Sequence, residues 1–254
     1  MKVSIITVCF NSEKTIEDTI LSVISQSYAN IEYIILDGIS SDSTLEIVEK
    51  YRANIAVVIS EKDGGMYDAL NKGIDLATGE VIAILNSDDV YKDKHVIQEV
   101  VDSLIANNSD ACYGDLVYVD KNNLNLVSRY WKAKAYKENY FIKGWMPPHP
   151  SFFVKKTCYE TYGKFNLGLV SAADYELMLR FIHKHHIKLS YVPRVLVKMR
   201  EGGLSNISLF NRLRGNKEDH LAWKINSLKP SFLTLSMKPL RKILQFIPTK
   251  KRID

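Results

Sequence analysis

The chain has 254 residues, of which 46% are hydrophobic, 25% charged and 10% aromatic, with 12 Gly and 7 Pro. That usage excludes a disordered, collagen-like or low-complexity chain and fits one large domain, or one domain with an appendage. The net charge of +5 is uneven: residues 229–254 hold seven bases and one acid, so residues 1–228 carry −1, and with no basic stripe on the body nucleic acid is not an expected partner.

Cys9, Cys112 and Cys158 lie far apart in apolar surroundings without a CxxC pair. Buried, reduced thiols are expected, with no disulfide framework or zinc knuckle. The opening MKVSIITVCFNSEKT reads as a first strand, not a signal peptide. No window offers the ~20 apolar residues of a spanning helix. A cytoplasmic protein, soluble or peripheral on a membrane face, is therefore expected.

Val3 to Val8 is a β-branched run, followed by Asn11 and Ser12 as helix starters and by Ile16, Ile20, Val23 and Ile24 at helical spacing. Ile31 to Leu36 reads as a second strand ending at Asp37-Gly38, and Ser40 and Ser41 open a helix carrying Leu45, Ile47, Val48 and Tyr51. Ala53 to Ser60 is a third strand, Met66 to Ala77 a third helix, and Glu80 to Leu85 a fourth strand running into Asn86-Ser87-Asp88-Asp89. A helix is expected over Lys94 to Ala106. This alternation predicts an α/β fold with a Rossmann-like, mostly parallel sheet flanked by helices. Ligands of such sheets bind beyond the carboxyl ends of the strands.

The pattern then changes. Ala111 to Val119 and Leu124 to Trp131 read as a hairpin around Lys121-Asn122-Asn123. The stretch from there to His149, rich in aromatics and Lys without a period, reads as a binding loop. A strand over Ser151 to Val154, a helix near Thr157 to Tyr162 and an amphipathic helix over Asp174 to His185 follow. Two strands bracket Pro193, and a helix of about Ser208 to Ile225 precedes the basic end.

Four acidic positions stand out: Asp37, Asp63 before Gly64-Gly65, the Asp88-Asp89 pair, and Asp174 at a predicted helix start. Each alone has a plain account as turn residue or N-cap. Jointly, Asp37 and Asp88-Asp89 fall on one edge of one sheet. Adjacent carboxylates without nearby Cys or His favour Mn2+ or Mg2+, which completes its shell with water and phosphate oxygens, so a diphosphate ligand follows. The first turn, Cys9-Phe10-Asn11-Ser12, is neither GxGxxG nor a P-loop, which disfavours a nicotinamide dehydrogenase and a P-loop NTPase. It also lacks the glycine- and arginine-rich first loop of a nucleotidyltransferase.

Ser4-Ile5-Ile6-Thr7-Val8 with Asn11, Asp37 to Thr44, Asp63 to Gly73, Ala77-Thr78-Gly79-Glu80 and Asn86-Ser87-Asp88-Asp89 together resemble the family 2 glycosyltransferases of GT-A fold, over about residues 1–200. The resemblance implies inverting transfer of a sugar from a nucleotide-diphosphate donor, a UDP-sugar in particular, with a divalent cation. It implies that Asp37 pairs with the base, Asp88 sits by the ribose and diphosphate, and Asp89 holds the metal. Asp63 and an Asn71-Lys72-Gly73 turn would line the donor pocket. Ala172-Ala173-Asp174-Tyr175-Glu176-Leu177 matches the family's acid-opened helix and makes Asp174 the general base. Many relatives have two adjacent acids where this chain has one; Glu176 is the fallback, on another side of the helix. His149, between Pro148 and Pro150, would contact diphosphate or acceptor. Arg200, in the segment to Ser205, would offer a cation to the donor phosphates as that segment closes. The two carboxylate tasks are chemically distinct, since inversion needs a base on the acceptor side and charge neutralisation on the leaving group.

The expected division is a catalytic domain over 1–228, with a donor half 1–106 and an acceptor half 107–228, and a basic helical tail over 229–254. Trp131, Tyr136, Tyr140, Phe141, Trp145 and Met146 are candidates for the acceptor side. His183, His185 and His186 are expected to face solvent. Leu233, Leu235, Met237, Leu240, Ile243, Leu244, Phe246 and Ile247 interleave with the tail's bases, which suits an anionic membrane surface. An acceptor held there, such as a polyprenyl-diphosphate-linked glycan in a bacterial surface polysaccharide, is the matching expectation. The rival classes are another metal-dependent enzyme of nucleotide-sugars and a non-catalytic binding module of the same fold.

Overall fold

In a computed structural model, which describes residues 1–202, 209–230 and 234, the first half follows its sequence periods. Strands β1 (Val3–Cys9), β2 (Ile31–Asp37), β3 (Val57–Ser60) and β4 (Val81–Ile84) alternate with helices α1 (Ile16–Ile24), α2 (Thr44–Lys50) and α3 (Met66–Leu76). The period of two in β1 and β2 sorts their side chains between two cores. Val3, Ile5, Tyr33 and Ile35 pack with Ile16, Ile20 and Val23 of α1, whereas Ile6, Ile34 and Leu36 pack with Leu70 and Ile74 of α3. Gly73 lets α3 lie close on the sheet, because a Cβ there would come within 2.6 Å of the Ile6 side chain.

The second half adds β5 (Val90–Tyr91), α4 (Val96–Ala106), β6 (Ala111–Val119), β7 (Val127–Trp131), β8 (Phe152–Lys155), α5 (Lys156–Tyr162), α6 (Ala173–Met178), β9 (Leu189–Arg200) and α7 (Leu209–Ile225). One nine-stranded sheet runs β3-β2-β1-β4-β8-β6-β9-β5, with β7 pairing β6. Pairing is parallel among β1 to β4 and turns antiparallel where β8 joins β4 and β6. Register aligns Cys9 with Asp37 and Asp37 with Ser60, so the polar turns after β1, β2 and β3 lie on one edge.

Several elements differ from the sequence reading. The third strand starts at Val57, because Arg52–Asn54 forms a 3-10 turn. The two strands expected around Pro193 are one, and its register with β6 shifts between Gly114 and Leu116; a bulge accommodates a residue that has no N–H to donate. The helix expected from Asp174 to His185 is α-helical only to Met178 and continues as a π-turn over Leu179–Lys184. His183 does not face solvent: its ring lies 5.3 Å from that of Trp223 and 6.2 Å from that of Phe141. The three cysteines are free and buried, as expected. Among the described residues no helix is long and apolar enough to cross a membrane. The expected basic helical tail, residues 229–254, lies almost wholly outside the described residues.

At the opposite edge of the sheet, Glu32 is only 7% exposed and accepts from Lys2 Nζ (2.7 Å), Ser4 Oγ (2.5 Å), and the backbone N (2.7 Å) and Oγ1 (2.5 Å) of Thr78. Burial raises its pKa, but these four donors outweigh it and hold the carboxyl at about 2, below its ordinary 4.5. A depressed folded-state pKa stabilises above the unfolded value and is lost as pH falls from 4.5 towards 2. Glu32→Gln should therefore cost about 2 kcal/mol at pH 7 and much less at pH 2. Denaturant unfolding at both pH values measures this, and an equal loss at both would contradict it.

Candidate active site

The polar edge is built from turns that bind one another. Asp37, at the end of β2, is buried; its carboxylate accepts from Ser40 N (3.0 Å), Ser60 Oγ (2.7 Å) and Ser40 Oγ. Asn11, left-handed at φ 49°, accepts from Ser41 N (2.9 Å) and donates its own N–H to Ser40 Oγ (2.8 Å), tying the β1 turn to the β2 turn. Asp63 accepts from Gly65 N at 2.8 Å, and a Cβ on Gly38 would lie 3.0 Å from its carboxylate. Asp37 and Asp63 thus frame one turn.

Two apolar side chains stand out of this edge: Phe10 is 64% exposed and Ile39 55%. Ile39 has φ 62°, a conformation that β-branched residues rarely adopt. Sequence reasoning missed both as site residues. Phe10 carried a signal, an aromatic where a strand enters a polar turn, but Ile39 carried none.

The Asp88-Asp89 turn is held from two sides. Asp89 is fully buried and accepts from Asn86 Nδ2 (3.0 Å) and Arg200 N (3.3 Å), while its carbonyl accepts from Thr19 Oγ1 of α1 (2.8 Å). Arg200, the last residue of β9, is also buried. Its guanidinium donates to the Asp88 carbonyl (2.7 Å), to the Lys121 carbonyl (3.2 Å) and to the Asp18 carboxylate. The cation expected to reach donor phosphates is thus engaged in fixing the acidic turn; residues 203–205 of its segment lie outside the described residues. Burial pushes the Asp88 carboxyl up, and burial together with the neighbouring Asp88 charge pushes Asp89 well above the usual carboxylate range.

Residues 71–73 lie inside α3, not on a turn. Asn71 exchanges two hydrogen bonds with the Phe165 backbone, donating to its carbonyl and accepting from its N–H, each at 2.9 Å. Lys72 pairs with Glu61 (2.9 Å) and Asp68 (3.6 Å). Asn71 and Lys72 are thus occupied by protein partners.

Asp174 is half-buried, and every other residue of α6 is buried. Its Oδ1 accepts from Tyr175 N at 2.8 Å and lies 3.5 Å from the Tyr67 hydroxyl. Glu176 is buried, binding Arg180 (2.9 Å) and Asn226 Nδ2 (2.9 Å), which leaves it no part as an alternative base. His149 opens a short 3-10 turn, His149–Ser151. Its ring meets Phe165 edge-on at 6.0 Å, and its Nε2 is buried without a protein partner among the described residues. Burial pushes the imidazole pKa down, opposed by the Asp174 charge.

Tyr118 of β6 lies within electrostatic reach of both acidic groups. Burial raises its phenol pKa, and among the lesser causes the charges of both Asp89 and Asp174 push the same way. It pairs across the ladder with Met199, next to Arg200, and with Arg129 of β7, whose guanidinium lies 4.4 Å over its ring. Neither Tyr118 nor Arg129 was legible as a site residue in the sequence. The aromatics expected on an acceptor side mostly pack: Phe141 and Trp145 are buried, and Tyr136 and Tyr140 surround Trp145 at 5.3 Å and 5.9 Å.

A family model, Glycosyl transferase family 2, matches residues 4–158, more than half of the chain. The chain belongs to this family. It is 27% identical over 190 residues to a PGL/p-HBAD biosynthesis glycosyltransferase of Mycobacterium bovis, covering 73% of this chain and 72% of the relative. An uncharacterized glycosyltransferase of Mycobacterium tuberculosis is 30% identical over 180 residues, covering 70% and 68% of the two chains. Among solved structures, S. aureus TarS in complex with UDP-GlcNAc superposes with a TM-score of 0.69 at 19% identity, over 89% of this chain and 66% of that one. The mannosyltransferase PcManGT of Pyrobaculum calidifontis, in complex with GDP-Man and Mn2+, gives 0.65 at 19% identity, over 96% and 69%. The fold of this family 2 glycosyltransferase is accordingly GT-A-like, a curled central sheet flanked by helices.

Proposed function

We propose that this glycosyltransferase moves a sugar, with inversion, from a nucleoside-diphosphate donor, a UDP-sugar in particular, to a hydroxyl of a glycan acceptor. The observation that carries the reading is a pair of acidic groups whose charges both reach Tyr118: Asp88-Asp89 on the strand-end edge and Asp174 on α6. The base and ribose would lie on the Phe10 and Ile39 surface beside Asp37 and Asp63, since an exposed aromatic face suits a flat heterocycle. Asp174 would accept the proton of the acceptor hydroxyl. His149, kept neutral by burial, would offer its unpartnered Nε2 to a polar atom of donor or acceptor.

The Asp88-Asp89 donor set fits a divalent cation. Two hard carboxylates lie adjacent, Asp89 buried and Asp88 half-buried; burial raises the pKa of both, and at Asp89 the Asp88 charge adds to the rise. Among the described residues no group of three protein ligands converges, so diphosphate oxygens and water would complete the shell. Bound there, Mn2+ or Mg2+ would neutralise charge on the leaving diphosphate. The charge and apolar spacing of residues 229–254 support a lipid-linked acceptor at an anionic cytoplasmic membrane face, as in bacterial surface-polysaccharide assembly.

The test is thermal stabilisation by UDP-GlcNAc, UDP-glucose, GDP-mannose, dTDP- and CMP-sugars with and without Mn2+. A Mn2+-dependent rise of several degrees with one UDP-sugar, roughly that of a ligand at a hundredfold its Kd, is expected. No shift with any donor would overturn the reading.

A further inference from the structure

The helix that carries Asp174 begins without a side-chain cap of its own, because its N-cap residue is Ala172. The backbone just ahead of it is held from outside. Glu218, on α7, accepts from Val170 N (3.3 Å) at one carboxylate oxygen and from Ser171 N (2.7 Å) and Ala172 N (3.0 Å) at the other. Trp223 Nε1 donates to the Tyr175 hydroxyl (2.8 Å), and Asn226, just beyond α7, donates to Glu176 (2.9 Å). Leu167 and Val170 are exposed while Leu169 and Ala172 are buried in the core, so side-chain packing anchors this stretch at two points and the Glu218 bonds fix the backbone N–H groups between and beside them. Each neighbour of Asp174 along the chain, from Val170 to Glu176, has a contact with α7 or is buried in α6.

We infer that Glu218 is a positioning residue for Asp174: its carboxylate, gathering three consecutive N–H groups, fixes the turn that aims the base. This deepens the proposed function and rests on Asp174 being the base. The physical reason is geometric. Bonds to an ionised acceptor are roughly twice as strong as neutral ones, and an error of about 1 Å at a reacting group costs about a hundredfold in rate. Glu218 itself touches neither donor nor acceptor in this assignment and acts only through the direction of the Asp174 carboxylate.

The experiment compares Glu218→Ala and Glu218→Gln with the parent, both in the full chain and in the Asp174→Asn background. Amide hydrogen exchange at residues 170–175, Mn2+-dependent thermal stabilisation by UDP-GlcNAc and by the donor found in the screen above, and UDP or other nucleoside-diphosphate release with water as acceptor are read. Exchange at Val170 to Ala172 should rise about tenfold or more. Nucleoside-diphosphate release should fall about 10- to 100-fold through kcat, with donor KM and donor-induced stabilisation retained. In the Asp174→Asn background the second substitution should cause no further loss. Glu218→Gln, which keeps volume and one carbonyl acceptor, covers the case in which the alanine variant does not fold. Unchanged amide protection, or a further loss in the Asp174→Asn background, would overturn the inference; so would full turnover in Glu218→Ala beside an inactive Asp174→Asn. Full turnover in Asp174→Asn instead removes the base assignment and the inference with it. If no donor is hydrolysed, exchange at 170–172 decides.

Discussion

Asp174→Asn should lower sugar transfer about a thousandfold while leaving donor binding intact, the contribution expected of a general base. The exchange keeps size and the contact to Tyr175 N but removes the basic oxygen. Of the six residues of α6, Asp174 is the one that is not buried. Its Oδ1 is engaged by Tyr175 N, and Oδ2 has no partner among the described residues. Nearby groups do not replace it: the Tyr67 phenol is pushed up chiefly by burial, and Glu176 is committed to Arg180 and Asn226. Nucleoside-diphosphate release under saturating donor measures the effect, and turnover within threefold of the parent would remove Asp174 from the chemistry.

Asp89→Asn should separate function from stability. In the ligand-free protein a buried acid beside another acid is a cost, since burial and the Asp88 charge both oppose its ionisation. Its neutral isostere should leave the melting point unchanged or raise it by about 3 °C, as about 1 kcal/mol would in a chain of this length. The same substitution should weaken Mn2+-dependent donor binding about a hundredfold and abolish the donor-induced thermal shift. Isothermal titration with and without Mn2+, beside a melting scan, reads both effects. Undiminished Mn2+-dependent binding in the variant would free Asp89 from the metal.

The parallel half of the fold was legible because its signals are local: β-branched runs of four to seven residues, helical spacing between them, and acidic or glycine-bearing turns at the strand ends. Asp37 and the Asp88-Asp89 pair could be placed on one edge from that alternation alone. What was not legible depends on residues distant in the chain. Arg200 reads as a loop cation until β9 pairs with β6 and brings it to Asp18 and the carbonyl of Asp88. Asn71 reads as a pocket residue until Phe165 arrives on α3. Glu218 has no motif, since its partners are three backbone N–H groups 46 to 48 residues earlier. The left-handed Ile39 contradicts its own backbone preference, which no local pattern predicts.

The continuous sheet and the Asn71 clip carry a consequence for how substrates enter. Residues 1–106 and 107–228 are joined by the β4–β8 ladder and, on one face, by the paired bonds between Asn71 and Phe165. Swinging the two parts apart like jaws would tear a strand pairing through the middle of the molecule and leave an amide and a peptide unpaired. Access is therefore a matter for the rim. With donor and acceptor placed as proposed, both would come and go over the strand-end turns, and the strand pairing beneath them would stay intact.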